Sequence, residues 1–466
     1  MTYELDRNST KPLYEQLYTA IRADILAGRL SGGEKLPSKR RLAEQLGISK
    51  ITVETAYAQL LAEGYVMARE RSGYFVEQIA PQRTQELHTR SLPETGNVPE
   101  PDAPSALLFP FSVWAKLMRG VLLDEGQALL GAVPPNGLSA LRQAICDELL
   151  RSRGIRAVPQ SIVVGAGAEY LYNLLVQFLG GDRHYALEDP GHRKLARIYA
   201  ANGVRFSPVG LDAEGVRLRD LEESGADVLH ISPSHHFPTG IVTGIARRQQ
   251  LMAWLRQDDS RIIIEDDYDA EFRFSGLPIP TMQSMDDSGR VIYMNTFSRT
   301  IAPALRISYM VLPQSMIPAW QRKMGFYSCT VPSFEQLTLT RFLDDGYFDR
   351  HLSRMKKHYR LLRARLLNVL SQEPVCRVCR AEHTEAGLHF ILRFSVPLPD
   401  EKLAELLRVC GLPLPLLTEF YAGEAADEAK GCVLLQYADL DPERFESAML
   451  RLCAALTGKE NRDTIC

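Results

Sequence analysis

The stretch Val291–Pro313, VIYMNTFSRTIAPALRISYMVLP, decides how the rest of the chain is read. Its first four residues (Val291, Ile292, Tyr293, Met294) are apolar and read as a buried strand. A polar turn with Asn295, Thr296 and Ser298 follows, then a second apolar run, Ile307–Leu312. Arg306 stands seven residues after Arg299. Hydroxyls on a turn, with an arginine at that distance, make a clamp suited to a phosphate. A strand that opens into such a turn predicts an α/β sheet with an anion held at the strand end.

Working outward, β-branched runs alternate with helical patterns. The runs are Ser161–Val164, Tyr185–Glu188, Val204–Val209, Val228–Ile231, Arg261–Glu265 and Val291–Met294. This order predicts a mostly parallel sheet covered by helices. Gly165-Ala166-Gly167-Ala168-Glu169 follows the first run and opens a helix over Tyr170–Leu179. A glycine turn at a helix start offers free N–H groups and a positive dipole to phosphate, although a tight structural turn explains a lone G-x-G equally well. After Ile262-Ile263-Ile264 comes the acidic run Glu265-Asp266-Asp267-Tyr268-Asp269. A final helix is predicted over Pro442–Leu456.

The N-terminal part has a different grammar. Leu13, Leu17, Ile21, Ile25 and Leu26 recur at helical spacing up to Gly28. Ser38 caps a second helix with Leu42, Ala43 and Leu46 inside, and Gly47 makes the turn. Ser49 caps a third, whose Val53, Ala56, Tyr57, Leu60 and Leu61 face inward, and Gly64 ends it. Two short β runs, Tyr65–Ala68 and Tyr74–Val76, flank a basic tip with Arg69, Arg71 and Gly73. Helix, helix–turn–helix, then hairpin is the order of a winged helix-turn-helix.

The segment GEKLPSKRRLAEQLGISKITVETAYAQLLAEGYV (Gly33–Val66), closed by SGYFV (Ser72–Val76), resembles the GntR family of DNA-binding heads. The resemblance implies that Lys39, Arg40 and Arg41 open a helix that meets the phosphate backbone. It places Ser49, Lys50, Thr52 and Glu54 at the start of the recognition helix in the major groove. Arg71 and Gly73 belong to the wing, with Gly73 near the minor groove. Alone, a run such as Lys39–Arg41 reads as a solvated face; inside this motif, basic side chains neutralise phosphates and short polar ones reach base edges.

Val291–Pro313 resembles the cofactor-lysine segment of fold-type I pyridoxal-phosphate enzymes, and most of all the MocR/GabR type of regulator. In that family a lysine between Ser298 and Thr300 bonds the cofactor aldehyde; here the residue is Arg299. Arginine stays protonated and cannot supply a neutral amine, so the covalent bond is excluded at this position. EDPGH (Glu188–His192) resembles a family segment in which His192 takes the place of a ring-stacking tyrosine. SPSHHFPTG (Ser232–Gly240) resembles a loop near the ring, with His236 at a glutamine position. The resemblance further implies Asp266 against the pyridine nitrogen and Tyr268 beside the ring oxygen. It implies a phosphate held by Gly167, Ala168, Thr296, Ser298 and Arg306. An arginine for a substrate carboxylate is missing from Cys432–Tyr437; Arg393 is a substitute candidate.

Three segments are therefore expected: a GntR-type winged helix-turn-helix head over 1–77, a proline-rich linker over 78–106 and an aminotransferase-like body over 107–466. At about 3 Å per residue the linker spans several tens of ångströms. The formal net charge of −3 confines any DNA-binding surface to a local patch. Of eight cysteines only Cys376 and Cys379 form a C-x-x-C, with no second ligand pair, so no metal site is expected. Neighbouring His235 and His236 point apart in an extended loop and do not change that. No membrane span or apolar signal core is read, and a cytoplasmic location is expected.

The expected function is a homodimeric transcription regulator that binds double-stranded DNA and senses a small-molecule effector, amino-acid-like or related to vitamin B6. Pyridoxal phosphate, if held, is held non-covalently. A different anionic ligand paired with Arg299, or an arginine introduced in place of a natural lysine, stays open. So do an active aminotransferase carrying a DNA-binding head, and a structural DNA-bound dimer with an empty pocket.

Overall fold

The structure is a computed structural model that describes residues 3, 5–7, 9, 11–69, 72–78, 108–274, 279–396 and 398–456. The chain divides into two compact units, within Met1–Thr95 and within Gly96–Cys466. The expected linker lies, from residue 79 on, outside the described residues.

The first unit has three helices, α1 (Leu13–Leu26), α2 (Lys39–Leu46) and α3 (Lys50–Ala62), and a hairpin of β1 (Val66–Arg69) and β2 (Gly73–Val76). Both predicted caps form. Ser38 Oγ accepts from the Arg41 N–H at 3.3 Å, and Ser49 Oγ accepts from the Thr52 N–H at 3.1 Å. Gly47, at φ +62, makes the left-handed turn between α2 and α3. Leu17, Ile21, Leu42, Val53, Tyr57 and Leu60 close one core under the hairpin. Leu61 departs from expectation. It is 40% exposed, because Val53, Ala56, Tyr57 and Leu60 already fill the inward stripe and the next position turns outward.

In the second unit eight strands form one sheet: β3 (Ile162–Gly165), β4 (His184–Asp189), β5 (Arg205–Asp212), β6 (Gly215–Val216), β7 (Val228–Ile231), β8 (Ile262–Asp266), β9 (Val291–Thr296) and β10 (Ser308–Val311). Their order is β3-β10-β9-β8-β7-β4-β5-β6. The run β9, β8, β7, β4, β5 is parallel, as expected. The sheet is nevertheless mixed. β10 runs antiparallel to β9 and β3, and β6 antiparallel to β5, because short turns return both strands without a crossover helix.

Helices α4 (Phe111–Glu125), α5 (Ser139–Arg153), α6 (Ala168–Leu179) and α7 (Arg193–Ala201) belong to this unit. A smaller lobe pairs three antiparallel strands, β11 (Cys379–Glu382), β12 (His389–Phe394) and β13 (Cys432–Gln436). The long helix Tyr347–Ser371 and the closing helix Pro442–Leu456 pack into this lobe's core. Among the described residues no helix is long and apolar enough to cross a membrane.

Candidate functional sites

In the first unit, Lys50, Arg41, Glu54 and Ser49 are exposed around the α2–α3 turn. Several are already engaged. Lys39 Nζ lies 2.6 Å from Glu54 and sits over the Tyr74 ring at 5.2 Å; Arg40 pairs with Glu44 at 3.0 Å. Gly73, at φ +109, pairs with Arg69 to close the wing. Arg71 lies outside the described residues. Arg69 stacks on Phe75 at 4.7 Å, which positions its charge beside the wing tip.

The second unit has a cavity of about 430 Å³. Parallel strands explain its place. β4 ends at Asp189, β7 at Ile231, β8 at Asp266 and β9 at Thr296, so their carboxyl ends converge on one edge. The lining includes Gly167, Ala168, His192, Asp266, Tyr268, Thr296, Ser298, Arg299 and Arg306, which sequence reading had scattered over 140 residues. Phe420–Ala422 closes the cavity from beyond the sheet. The Gly191 N–H donates to Phe420 O at 3.1 Å, and the Ala422 N–H to Asp189 Oδ1 at 2.9 Å.

One end of the cavity is built for an anion. The first-turn N–H groups of α6 open onto it, with Gly167 at φ +92. A Cβ on Gly167 would stand 2.6 Å from Arg306 Nη2 and would have to push the guanidinium aside, and the φ of +92 itself favours glycine here. Arg306 itself holds φ +49, a costly conformation for a side-chain-bearing residue and one that marks functional turns. It rests on Glu169 at 3.3 Å, a half-exposed pair that an anion can displace. The two predicted hydroxyls differ. Thr296 Oγ1 donates to Ile307 O at 3.3 Å and accepts from Ser308 Oγ at 2.8 Å and from the Ser298 N–H at 3.1 Å. It is consumed by the turn. Ser298 Oγ is buried without a partner and is the hydroxyl left for a ligand.

At the other end Asp266 accepts from the Tyr172 hydroxyl, and His230 Nε2 stands 3.5 Å from its Oδ2. The far nitrogen of His230 meets the Tyr199 hydroxyl at 2.7 Å. Buried Glu188 accepts from the Ser232 N–H at 2.9 Å, yet burial, aided by the Asp266 charge, pushes its carboxyl up to about 8. Burial likewise raises the Tyr268 hydroxyl well above its ordinary value, with Arg299 opposing. Arg299 thus bears electrostatically on Tyr268, Tyr172 and Asp269.

Two readings shift. His236 does not line the cavity; its Nδ1 meets Thr239 Oγ1 at 2.7 Å and its Nε2 lies 3.6 Å from Glu188. Arg393 is no stand-in for a carboxylate clamp either, because it is tied to Glu382 at 2.8 Å and to Glu428 O at 2.6 Å. His235 and His236 have different partners, in a turned loop and not an extended one. His235 Nδ1 meets Asp269 Oδ2 at 2.7 Å, and burial lowers both imidazoles to about 3. His235, Asp269 and His389 bring potential ligand atoms within 4.8 Å of one another, but Arg299 already supplies positive charge to both Asp269 and His389. That charge opposes a second cation.

Sequence reading missed Tyr172 and His230. Tyr172 lies one turn into α6, of which only the N-terminal turn had been read as part of a site. His230 was the one polar residue inside an apolar strand, and that was its signal.

These two sites define a class: a small DNA-reading head joined to an aminotransferase-type body. The comparisons agree. Residues 13–76 match the family of bacterial regulatory proteins of the gntR type, and residues 100–452 match aminotransferase class I and II. An uncharacterized HTH-type regulator of Bacillus subtilis, YdeL, is 36% identical over 88% of this chain and 90% of its own length. The probable rhizopine catabolism regulatory protein MocR of Rhizobium meliloti is 30% identical over 98% of this chain and 96% of its own. A kynurenine aminotransferase from Pyrococcus horikoshii superposes on 77% of this chain and 90% of its own, with a TM-score of 0.67 at 23% identity, a likeness of fold. The chain belongs to the MocR-type transcription regulators, with a gntR-family helix-turn-helix head and an aminotransferase class I/II body.

Proposed function

We propose that this DNA-binding transcription regulator senses an anionic small molecule in the cavity of its body, and that pyridoxal phosphate fits there only as a non-covalent ligand. The observation that carries the reading is the unpartnered Ser298 hydroxyl in the same cavity as the Gly167–Arg306 contact, which a Cβ on Gly167 would crowd. Gly167, Ala168, Ser298 and Arg306 would hold the phosphate, and Asp266 the ring nitrogen. When bound, the cofactor supplies an electron-attracting pyridinium ring. Arg299, in the place of the family's lysine, has a guanidinium and no amine, so it would donate hydrogen bonds instead of forming a covalent bond. His192 offers a smaller stacking face than tyrosine. The effector class this favours carries a phosphate or carboxylate and resembles an amino acid or vitamin B6.

The working unit is a homodimer in the cytoplasm, bound to repeated or palindromic double-stranded DNA. Exposed Phe111, Leu122 and Leu123 on α4, with Leu130 in the turn that follows it, support an apolar contact between bodies. The effector acts by favouring one arrangement of the heads, which requires different affinities for the two arrangements. Gel shifts on the DNA upstream of its own gene, with and without pyridoxal phosphate, test this. Sequence-preferring binding that the ligand alters is expected. Binding no tighter than to bulk DNA would end the regulatory reading, and indifference to every anionic ligand would end the sensing one.

A further inference from the structure

The outward stripe of α3 is Ile51, Glu54, Thr55 and Ala58, set opposite buried Val53, Ala56, Tyr57 and Leu60. Ile51 is 74% exposed, in the first turn of the helix, so it offers a large aliphatic surface outward from the head. The polar groups around it are spoken for within the head. Ser49 Oγ and Thr52 Oγ1 bond each other at 2.8 Å, and Ser49 Oγ also caps the helix. Glu54 is held by Lys39 at 2.6 Å. The Thr55 hydroxyl donates to Ile51 O at 3.0 Å, so what Thr55 has left to offer is its methyl. The outward stripe of α3 therefore offers the apolar tips of Ile51, Thr55 and Ala58 beside the half-exposed Glu54–Lys39 pair, with Lys50 next to it and Arg41 on α2, and neither Lys50 nor Arg41 makes an ion pair among the described residues.

In a DNA major groove only one base carries an apolar group at its edge, the C5-methyl of thymine. We infer that Ile51, backed by the methyls of Thr55 and Ala58, is a specificity-determining residue that reads thymine methyl groups, while Lys50 and Arg41 meet the phosphates on either side. This rests on the DNA-binding reading of the head. It moves base discrimination from the short polar residues of the helix start, which serve the cap, to the apolar stripe.

The test uses the full-length protein and a duplex selected by it from a random pool. Each thymine of the selected site is replaced in turn by deoxyuridine, which deletes one methyl and leaves base pairing intact. At one or more positions the dissociation constant should rise about fourfold, the worth of one buried methyl group. Ile51→Ala should abolish that sensitivity, and Ile51→Val, which keeps a branched apolar tip, should retain it. Both variants change an exposed side chain, and melting curves will register any loss of fold. A preferred duplex with no methyl-sensitive position, or an Ile51→Ala protein that stays as sensitive as the parent, overturns the inference alone. A pool that yields no preferred duplex overturns the DNA-reading of the head and this inference together.

Discussion

The two halves of this chain carry their sites in opposite ways. In the head, Arg40, Arg41, Ser49, Lys50 and Glu54 are close in sequence, sit on short local elements and are exposed. In the body, the cavity draws on β4, α6, α7, β7, β8, β9 and the segment Phe420–Ala422, and its key carboxylates are buried. A surface that reads a polyanion needs charge at the edge and little burial. A pocket that holds a small anion needs donors fixed by long-range packing, in surroundings dry enough to make each charge count. Damage should therefore stay local and electrostatic in the head, and propagate through binding and pH dependence in the body.

The largest effect expected is on the body's ligand. Arg306→Ala should weaken pyridoxal-phosphate binding more than tenfold, the loss of a charge-assisted contact in a formed cradle, and isothermal titration will measure it. The same variant should leave the isolated DNA affinity unchanged; a matching loss of DNA binding without ligand would break the separation drawn here. Next is Lys50→Ala in the head. It should weaken binding to all DNA sequences alike and reduce the slope of log affinity against log salt by about 1. A sequence-selective loss would instead make Lys50 a base reader.

Glu188 sharpens the contrast through pH. Its folded carboxyl titrates near 8 against an ordinary 4.5, so folding favours the neutral acid. The stability this contributes is fully present below about pH 4.5 and is lost as pH rises through about 8. Glu188→Gln should therefore gain stability over the parent progressively from pH 5 to pH 8 in thermal melts, then level off. A constant difference across that range would show that burial does not hold the proton. His235 and His236 act in the opposite sense, since their lowered values near 3 add stability above the ordinary imidazole value of 6.5 and lose it as pH falls. The smallest effect is in the head. Ser49→Ala removes the α3 cap and should cost about 1 kcal/mol in denaturant unfolding.

The same contrast explains what could be read from residues alone. Caps at Ser38 and Ser49, the turn at Gly47 and the hairpin are local, and each stood where periodicity and turn chemistry put it. The alternation of apolar strands also announced the parallel core, and Gly167, Asp266, Ser298, Arg299 and Arg306 indeed meet around one cavity. What was not legible depends on partners distant in the chain. That Thr296 spends its hydroxyl on the Ile307 carbonyl and the Ser308 side chain, that Asp266 meets Tyr172 and His230, and that Phe420–Ala422 closes the cavity are settled by packing across elements. Leu61 shows the limit within a single helix, where an apolar residue adjoining the inward stripe was counted as part of it.

The central claim is that Arg299 leaves the body able to hold its anionic ring ligand only reversibly. The direct measurement is the absorption spectrum of the full-length protein loaded with pyridoxal phosphate, taken before and after exhaustive dialysis, beside an Arg299→Lys variant. The account predicts a free-aldehyde spectrum that dialysis removes from the parent protein, and a retained, shifted band in the variant. A shifted band that survives dialysis in the parent protein would mean that another amine has bonded the ligand, and would contradict the account.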